Sequence, residues 1–319
     1  MSEHDLRFDA MGSHLRLLIG EPGPGAAPAV EAGEEIRRFV ADFEAALSRF
    51  RPESELSALN ADRRRRVPAS ELLRDAVKAG LAAAERSGGL VDPTLVEEIE
   101  AAGYLGSRVG MPSASLAAAL VDAPPRHPAA PAAAGRWRQL EVDDAAGTVS
   151  RPPGVRFDTG GSGKGLAADM IATRLAGYSR FLVDCGGDIR IGGPDARENP
   201  YEVFAEHPLT GERAWVLKLG GGAVATSGLN LRIWRDGGGY AHHLLDPASG
   251  KPAWTGLIAA TALGETAVEA ETLAKMALLS GPQGGRAVLA QGGGLLVHDS
   301  GRVEPAGPLG ASPRIRLPR

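Results

Sequence analysis

The sequence predicts an α+β fold of mixed, largely antiparallel sheets with helices packed against them. Three observations carry this expectation. Strand-like segments come in runs, joined by short turns rich in Gly, Pro and Asp, rather than alternating one for one with helices. Four helical stretches are interspersed among those runs. The 319 residues, 43% of them apolar, suffice to bury a large core and are read as one domain spanning 1–319.

LRFDAMGSHLRLLIG (6–20) alternates like a strand, and EPGPGAAPAV breaks it. VEAGEEIRRFVADFEAALSRF (30–50) places Ile36, Phe39, Val40, Phe43 and Leu47 on one helical face. SELLRDAVKAGLAAAERSGG (70–89) is a second helix, with Ser70 as its N-cap and Gly88 and Gly89 closing it. Residues 107–134, rich in Ala, Pro and Ser, read as a flexible loop. Strand, turn and strand follow over 136–158, with AAGT as the hairpin connection. GLAADMIATRLAG (165–177) has Leu166, Met170, Ile171 and Leu175 at helical spacing. RFLVDCGGDIRIGG is a strand with a Gly-Gly break, and YEVFAEHP, RAWVLKLGG and GAVATSG continue as strands. HHLLDPASGKPAW holds a turn, GLIAATALG is a strand, AVEAETLAKMALLSG is a helix, and AVLAQGGGLLVHDSG closes as a hairpin.

Bulk properties exclude several functions. A net charge of −4 with mixed signs gives no footprint for nucleic acid. Cys185 is the single cysteine, so neither an intrachain disulfide nor a cysteine-based metal cluster is available. No apolar run reaches the length of a membrane span, and MSEHDLRFDAMG has no signal-peptide pattern; a cytoplasmic protein with no membrane insertion is the expectation.

FDTGGSGKGLAAD (157–169) is the most informative stretch. Dense glycine lets a backbone approach a ligand closely, and a helix opening directly behind it offers free N–H groups to an anion. It is not a Walker loop, because Gly165 follows Lys164 where a Ser or Thr is needed. The spacing also fails the dinucleotide fingerprint G-x-G-x-x-G. A tight strand-to-helix turn without ligand is the competing reading.

The other polar stretches at element ends are DAMGS (9–13), FRPESELSALN (50–60), GGLVDPT (88–94), VDCGGD (183–188), ATSG (225–228), HHLLDPASGKP (242–252) and EAETLAK (269–275). Together and in this order with the glycine cluster, they resemble the ApbE family, the FAD:protein FMN transferases, from about Phe8 to about Leu279. The resemblance implies an ApbE-like, T-fold-related architecture. It also implies an enzyme that binds FAD and, with Mg²⁺, transfers its FMN half to a Ser or Thr hydroxyl of an acceptor flavoprotein, releasing AMP. Other members hydrolyse FAD to FMN and AMP, or only hold it, and these are the alternatives.

Carried over position by position, the resemblance assigns Met11, Phe50, Leu90, Val91, Asp92, Asp158, Lys164, Thr226, Ser227 and Ala253 to the FAD site. Phe50 stands for the family's tyrosine, keeping the stacking face and losing the hydroxyl. Ordinary core packing competes for Met11 and Phe50, and a turn for Asp92-Pro93. His243 falls on the family histidine, suited to deprotonating an acceptor hydroxyl, against a structural role at a strand end. Of His242 and His243, at most one faces the site. Asp246 reads as structural. The family's metal positions, a carboxylate and a hydroxyl four residues apart plus a backbone carbonyl, fall on Glu271, Lys275 and Gly161. An ammonium cannot ligate Mg²⁺, so three readings stand: Lys275 contacts phosphate itself, the metal binds Glu271 with waters, or the two form a surface pair. The phosphate-facing lysine is the favoured one.

Overall fold

The computed structural model describes residues 3–108 and 110–308. The chain opens as a hairpin, β1 (His4–Ala10) and β2 (Ser13–Ile19), where the unbroken alternation predicts one strand. Its two-residue turn is Met11-Gly12, with φ of 52° and 67°. Positive φ at both central residues gives the twist that lets strands fold back tightly, so the alternation passes through the turn unbroken. A long insertion follows: α1 (Ala29–Leu47), α2 (Glu55–Ala61), β3 (Arg66–Pro68), α3 (Glu71–Arg86), α4 (Val96–Ala101), α5 (Leu116–Asp122), β4 (Glu141–Asp143), β5 (Thr148–Ser150) and α6 (Gly163–Arg174). Then come β6 (Phe181–Cys185), β7 (Asp188–Gly192), β8 (Tyr201–Glu206), β9 (Arg213–Leu219), β10 (Gly222–Gly228), β11 (Ile233–Asp236), β12 (Gly239–His242), β13 (Leu245–Asp246), β14 (Lys251–Pro252) and β15 (Leu257–Gly264). The described chain ends with α7 (Ala267–Leu279), α8 (Gly281–Leu289), β16 (Gly294–His298) and β17 (Val303–Ala306).

Eight strands form one antiparallel sheet in the order β1-β2-β6-β7-β10-β15-β16-β17. The helical faces read from periodicity bury Ile36, Val40, Phe43 and Leu47 of α1 into the core that covers this sheet. Ser70 caps α3, its hydroxyl accepting from Leu73 N at 3.2 Å. The register decides where loops meet. Leu15 pairs with Cys185, so the Met11-Gly12 turn and the Gly186-Gly187 turn leave from the same end. Ala225 pairs with Asp188, so Ser227 and Gly228 point to that end too, and the insertion carrying β11 to β14 departs there. Gly186 lies against the hairpin turn so closely that a Cβ on it would fall 2.5 Å from Ser13 Cβ. One end of the sheet thus gathers four of the stretches singled out from sequence.

Four helices depart from expectation. The segment 287–301 is not a hairpin throughout: α8 occupies its start, and the hairpin is β16–β17. Three glycines disfavour a helix there, but a Cβ on Gly285 would meet Ala277 O of α7 at 2.8 Å, so packing selects glycine over propensity. The short helices α2 and α4 lacked a periodicity long enough to read. Within the Ala/Pro-rich stretch lies α5, capped by Ser115, and the chain beyond is tied down through His127 N to Trp254 O (3.1 Å), Ala129 N to Leu279 O (2.8 Å) and Ala130 N to Asp246 Oδ1 (2.9 Å). Proline supplies no N–H, and His127 with the two alanines between Pro128 and Pro131 makes these bonds instead.

Candidate active site

The glycine cluster is a turn built for close approach. A Cβ on Gly165 would lie 2.8 Å from the backbone of Ala267 and Val268, so only glycine lets α6 touch the start of α7. Two further ties hold the helices together. Asp169, one turn on, accepts from Ala267 N (2.8 Å) and Val268 N (3.0 Å), capping α7 from its neighbour. Gly165 N donates to Glu271 Oε2 at 2.9 Å. Gly161 packs near Val91, and Asp158 N donates to Pro93 O at 2.9 Å, which joins the glycine turn to the 88–94 loop.

Lys164 extends to the sheet end. Its Nζ donates to Asp188 Oδ2 at 2.5 Å and reaches Gly186 O at 3.4 Å. Burial works to lower its pKa, but the charges of Asp188 and Glu271 outweigh burial and hold it above the ordinary lysine value. Lys164 is therefore a fixed cation. Glu271 is essentially unexposed, and its second oxygen, Oε1, accepts from Lys275 Nζ at 2.7 Å. Burial, then the nearby Asp188 charge, push the Glu271 pKa up, while both lysines pull it down. The pair is not a surface pair: α7 is buried on nearly every side between the sheet and α6.

His243 stands just beyond β12, half-buried, with Nδ1 sealed from solvent and without a partner among the described residues. Burial first, then the charges of Arg232, His242 and Lys275, lower its pKa well below the ordinary value. At neutral pH it is a neutral imidazole beside cations, able to accept a proton. His242 is the structural member of the two: fully buried, edge-on to Trp254 (4.7 Å, 82°), its Nδ1 accepting from Leu244 N at 3.3 Å. Asp246 is structural as well, accepting from Ala130 N, Ala248 N and Ser249 Oγ.

A second group of side chains lies on the glycine turn's other flank. Arg49 Nε pairs with Asp158 Oδ2 at 3.1 Å and stacks over Phe50 (4.2 Å) and Tyr104 (5.2 Å). Phe50 meets Tyr104 edge-on at 5.5 Å, and Tyr104 stacks on Trp234 at 5.4 Å. Phe50 is thus part of an aromatic and cationic stack at a loop edge, outside the main core. Asp158 also accepts from Gly160 N at 3.1 Å. Asp92 accepts from Thr94 N (2.8 Å) and Thr94 Oγ1 (2.5 Å), the bonds of an Asx turn, while burial raises its pKa. Leu90 and Val91 flank it, Val91 buried.

The sequence assignments do not all converge. Ser227 shares a face with Ala225, hence with Asp188, but Thr226 points to the opposite face, where it meets Thr261 Oγ1 at 2.8 Å. Ala253 is buried, its N–H donating to Leu244 O at 2.9 Å, which holds the histidine loop in place. Met11 sits partly buried in the hairpin turn at the shared end. Missed from sequence were Arg49, Tyr104, Asp188, Arg232 and Trp234. Asp188 stood in plain view at the end of VDCGGD; the aromatic partners carry no motif.

A divalent cation does not fit these residues. Glu271 has one oxygen on a backbone N–H and the other on an ammonium, and a protonated lysine offers no lone pair. Among the described residues no group of three or more His, Cys, Asp or Glu could hold a metal ion.

Known proteins agree with the architecture. The "FAD:protein FMN transferase" of Salmonella typhimurium is 27% identical over 274 residues, covering 83% of this chain and 75% of that protein. The protein of the same name from Treponema pallidum is 27% identical over 287 residues, covering 85% and 77%. The crystal structure of the ApbE protein from Thermotoga maritima superposes with a TM-score of 0.79 at 25% identity, covering 96% of this chain and 97% of the other. Flavin transferase ApbE from Vibrio cholerae superposes with a TM-score of 0.73 at 22% identity, over 96% and 97%, a likeness of fold. The ApbE family profile matches residues 11–297, and the chain belongs to the ApbE family.

Proposed function

We propose that this protein takes FAD as substrate and transfers its FMN moiety to a Ser or Thr hydroxyl of an acceptor flavoprotein, releasing AMP. The observation that carries the reading is a half-buried imidazole, His243, whose Nδ1 has no partner among the described residues, at the end of the sheet where Lys164 reaches Asp188 and Gly186. Phosphoryl transfer asks little covalent work of a protein; it needs charge stabilisation and a positioned proton acceptor. In this reading the acceptor hydroxyl oxygen attacks the FMN-side phosphorus, and its proton passes to His243. The bond from that phosphorus to the bridging oxygen breaks, and AMP leaves with the electron pair. Lys164 and Lys275 face the pyrophosphate, while Phe50, Leu90, Val91 and the Arg49–Asp158 pair border the nucleotide. Membership in a family whose named relatives are FAD:protein FMN transferases supports the reaction type. The residues argue against Mg²⁺ as a participant. No helix among the described residues is long and apolar enough to cross a membrane.

The test is incubation with FAD and candidate acceptor proteins, followed by mass spectrometry and nucleotide analysis. An acceptor heavier by FMN, with one AMP released per modification, is the expected result. Free FMN with AMP and no modified acceptor would establish hydrolysis instead; bound, unreacted FAD would establish a binding protein.

A further inference from the structure

The two buried carboxylates near the glycine turn each hold an ammonium: Asp188 holds Lys164 at 2.5 Å, and Glu271 holds Lys275 at 2.7 Å. Glu271 and Lys275 are one helical turn apart on α7, and Glu271 is fixed from behind by Gly165 N. This is a pre-assembled arrangement, since neither helix can rotate without breaking a bond already described.

We propose that Lys275 is a built-in cation that takes the place of a divalent metal, so that this protein binds the pyrophosphate of its substrate without Mg²⁺. The inference rests on the reading that the site takes FAD. An ammonium is a compact point charge with three donors, and Glu271 Oε1 is the acceptor found for Lys275 among the described residues. The remaining donors are available to phosphate oxygens. Around Lys275 stand the positive charges of Lys164 and Arg232 and the carboxylates of Asp184, Asp188 and Glu271; the last two are already paired with lysines, and a dication would have to displace those ammonium groups. Mg²⁺ demands near-octahedral oxygen ligation, and both Glu271 oxygens are already engaged, one by Gly165 N and one by the Lys275 ammonium.

Two measurements on the full-length protein test this. In the first, Mn²⁺ is titrated without flavin and followed by electron paramagnetic resonance. Wild type takes up no stoichiometric ion, whereas Lys275→Thr, which frees Glu271 Oε1 and supplies a hydroxyl, gains one. A single site in wild type that Glu271→Gln abolishes overturns the proposal, whatever the substrate. In the second, FAD affinity of wild type is measured with EDTA and with Mg²⁺. The two dissociation constants agree within about twofold; tightening by Mg²⁺ of about tenfold or more overturns the proposal. Absence of FAD binding under both conditions instead removes the flavin reading, and the Mn²⁺ arm separates the two failures. Both wild-type arms stand even if a variant fails to fold.

Discussion

Acid should destabilise this protein through His242. Its ring is fully buried against Trp254, and burial holds its pKa at about 3 against an ordinary 6.5. Below the ordinary value the unfolded chain binds a proton at this position and the folded chain does not. Because stability changes with pH as the difference in bound protons, it falls as pH drops from 6.5 towards 3. Each unit of pH in that window costs about 1.4 kcal/mol, so moving from pH 7.5 to pH 5.0 removes about 2 kcal/mol through this group. Other groups titrate over the same range, so the contribution is isolated by difference. His242→Phe keeps an aromatic ring beside Trp254 and cannot titrate. It loses the bond from Leu244 N, a cost of about 1 kcal/mol that is the same at both pH values. Urea unfolding of both proteins at pH 7.5 and 5.0 yields four free energies. The wild-type loss on acidification should exceed the variant's by about 2 kcal/mol. Equal losses would show that His242 titrates normally, and that the sealed environment described for it is wrong.

His243→Asn should lower the transfer rate about 100-fold or more while leaving FAD affinity nearly unchanged, because a general base acts on the acceptor's proton; equal losses in binding and rate, by single-turnover kinetics and fluorescence titration, would assign it to substrate binding. Lys164→Ala should weaken FAD binding by about tenfold or more, the worth of a charge-assisted hydrogen bond. Lys218→Ala, which removes a half-exposed lysine paired with Glu202 on the β8–β9 hairpin, should not; indistinguishable titrations would exclude Lys164 from the phosphate site. Gly165→Ala should destabilise by about 1–3 kcal/mol through overpacking, outweighing a helix-propensity gain of roughly 1 kcal/mol. Gly106→Ala, with nothing within 4 Å of its added Cβ, should leave the melting temperature unchanged; equal melting temperatures for the two would contradict the tight α6–α7 contact.

Local chemistry made much of the fold readable. The apolar stripe of α1 and the Ser70 cap of α3 follow from 3.6-residue periodicity and from an oxygen placed to accept an early N–H. What escaped was decided by neighbours distant in sequence. Glu271 and Lys275 are visibly one turn apart, but only α6 lying over α7 makes them a buried pair. Lys164 was singled out by its glycines, while its partner, 24 residues on, is chosen by strand register. Arg49 meets Asp158 across the whole insertion, and no spacing rule connects them. Thr226 and Ser227 are adjacent letters of one motif, yet the pleat sends them to opposite faces.

The double grip of α6 on α7 bears on which length changes this chain tolerates. Asp169 holds the N–H groups of Ala267 and Val268, and four residues later Gly165 holds the carboxylate of Glu271. Helical phase advances about 100° per residue, so one residue inserted or deleted between those two points would turn the carboxylate out of reach. Variation in length should therefore collect in loops such as 207–212, which joins β8 to β9, while the stretch from Ala267 to Glu271 stays fixed in count even where its side chains change.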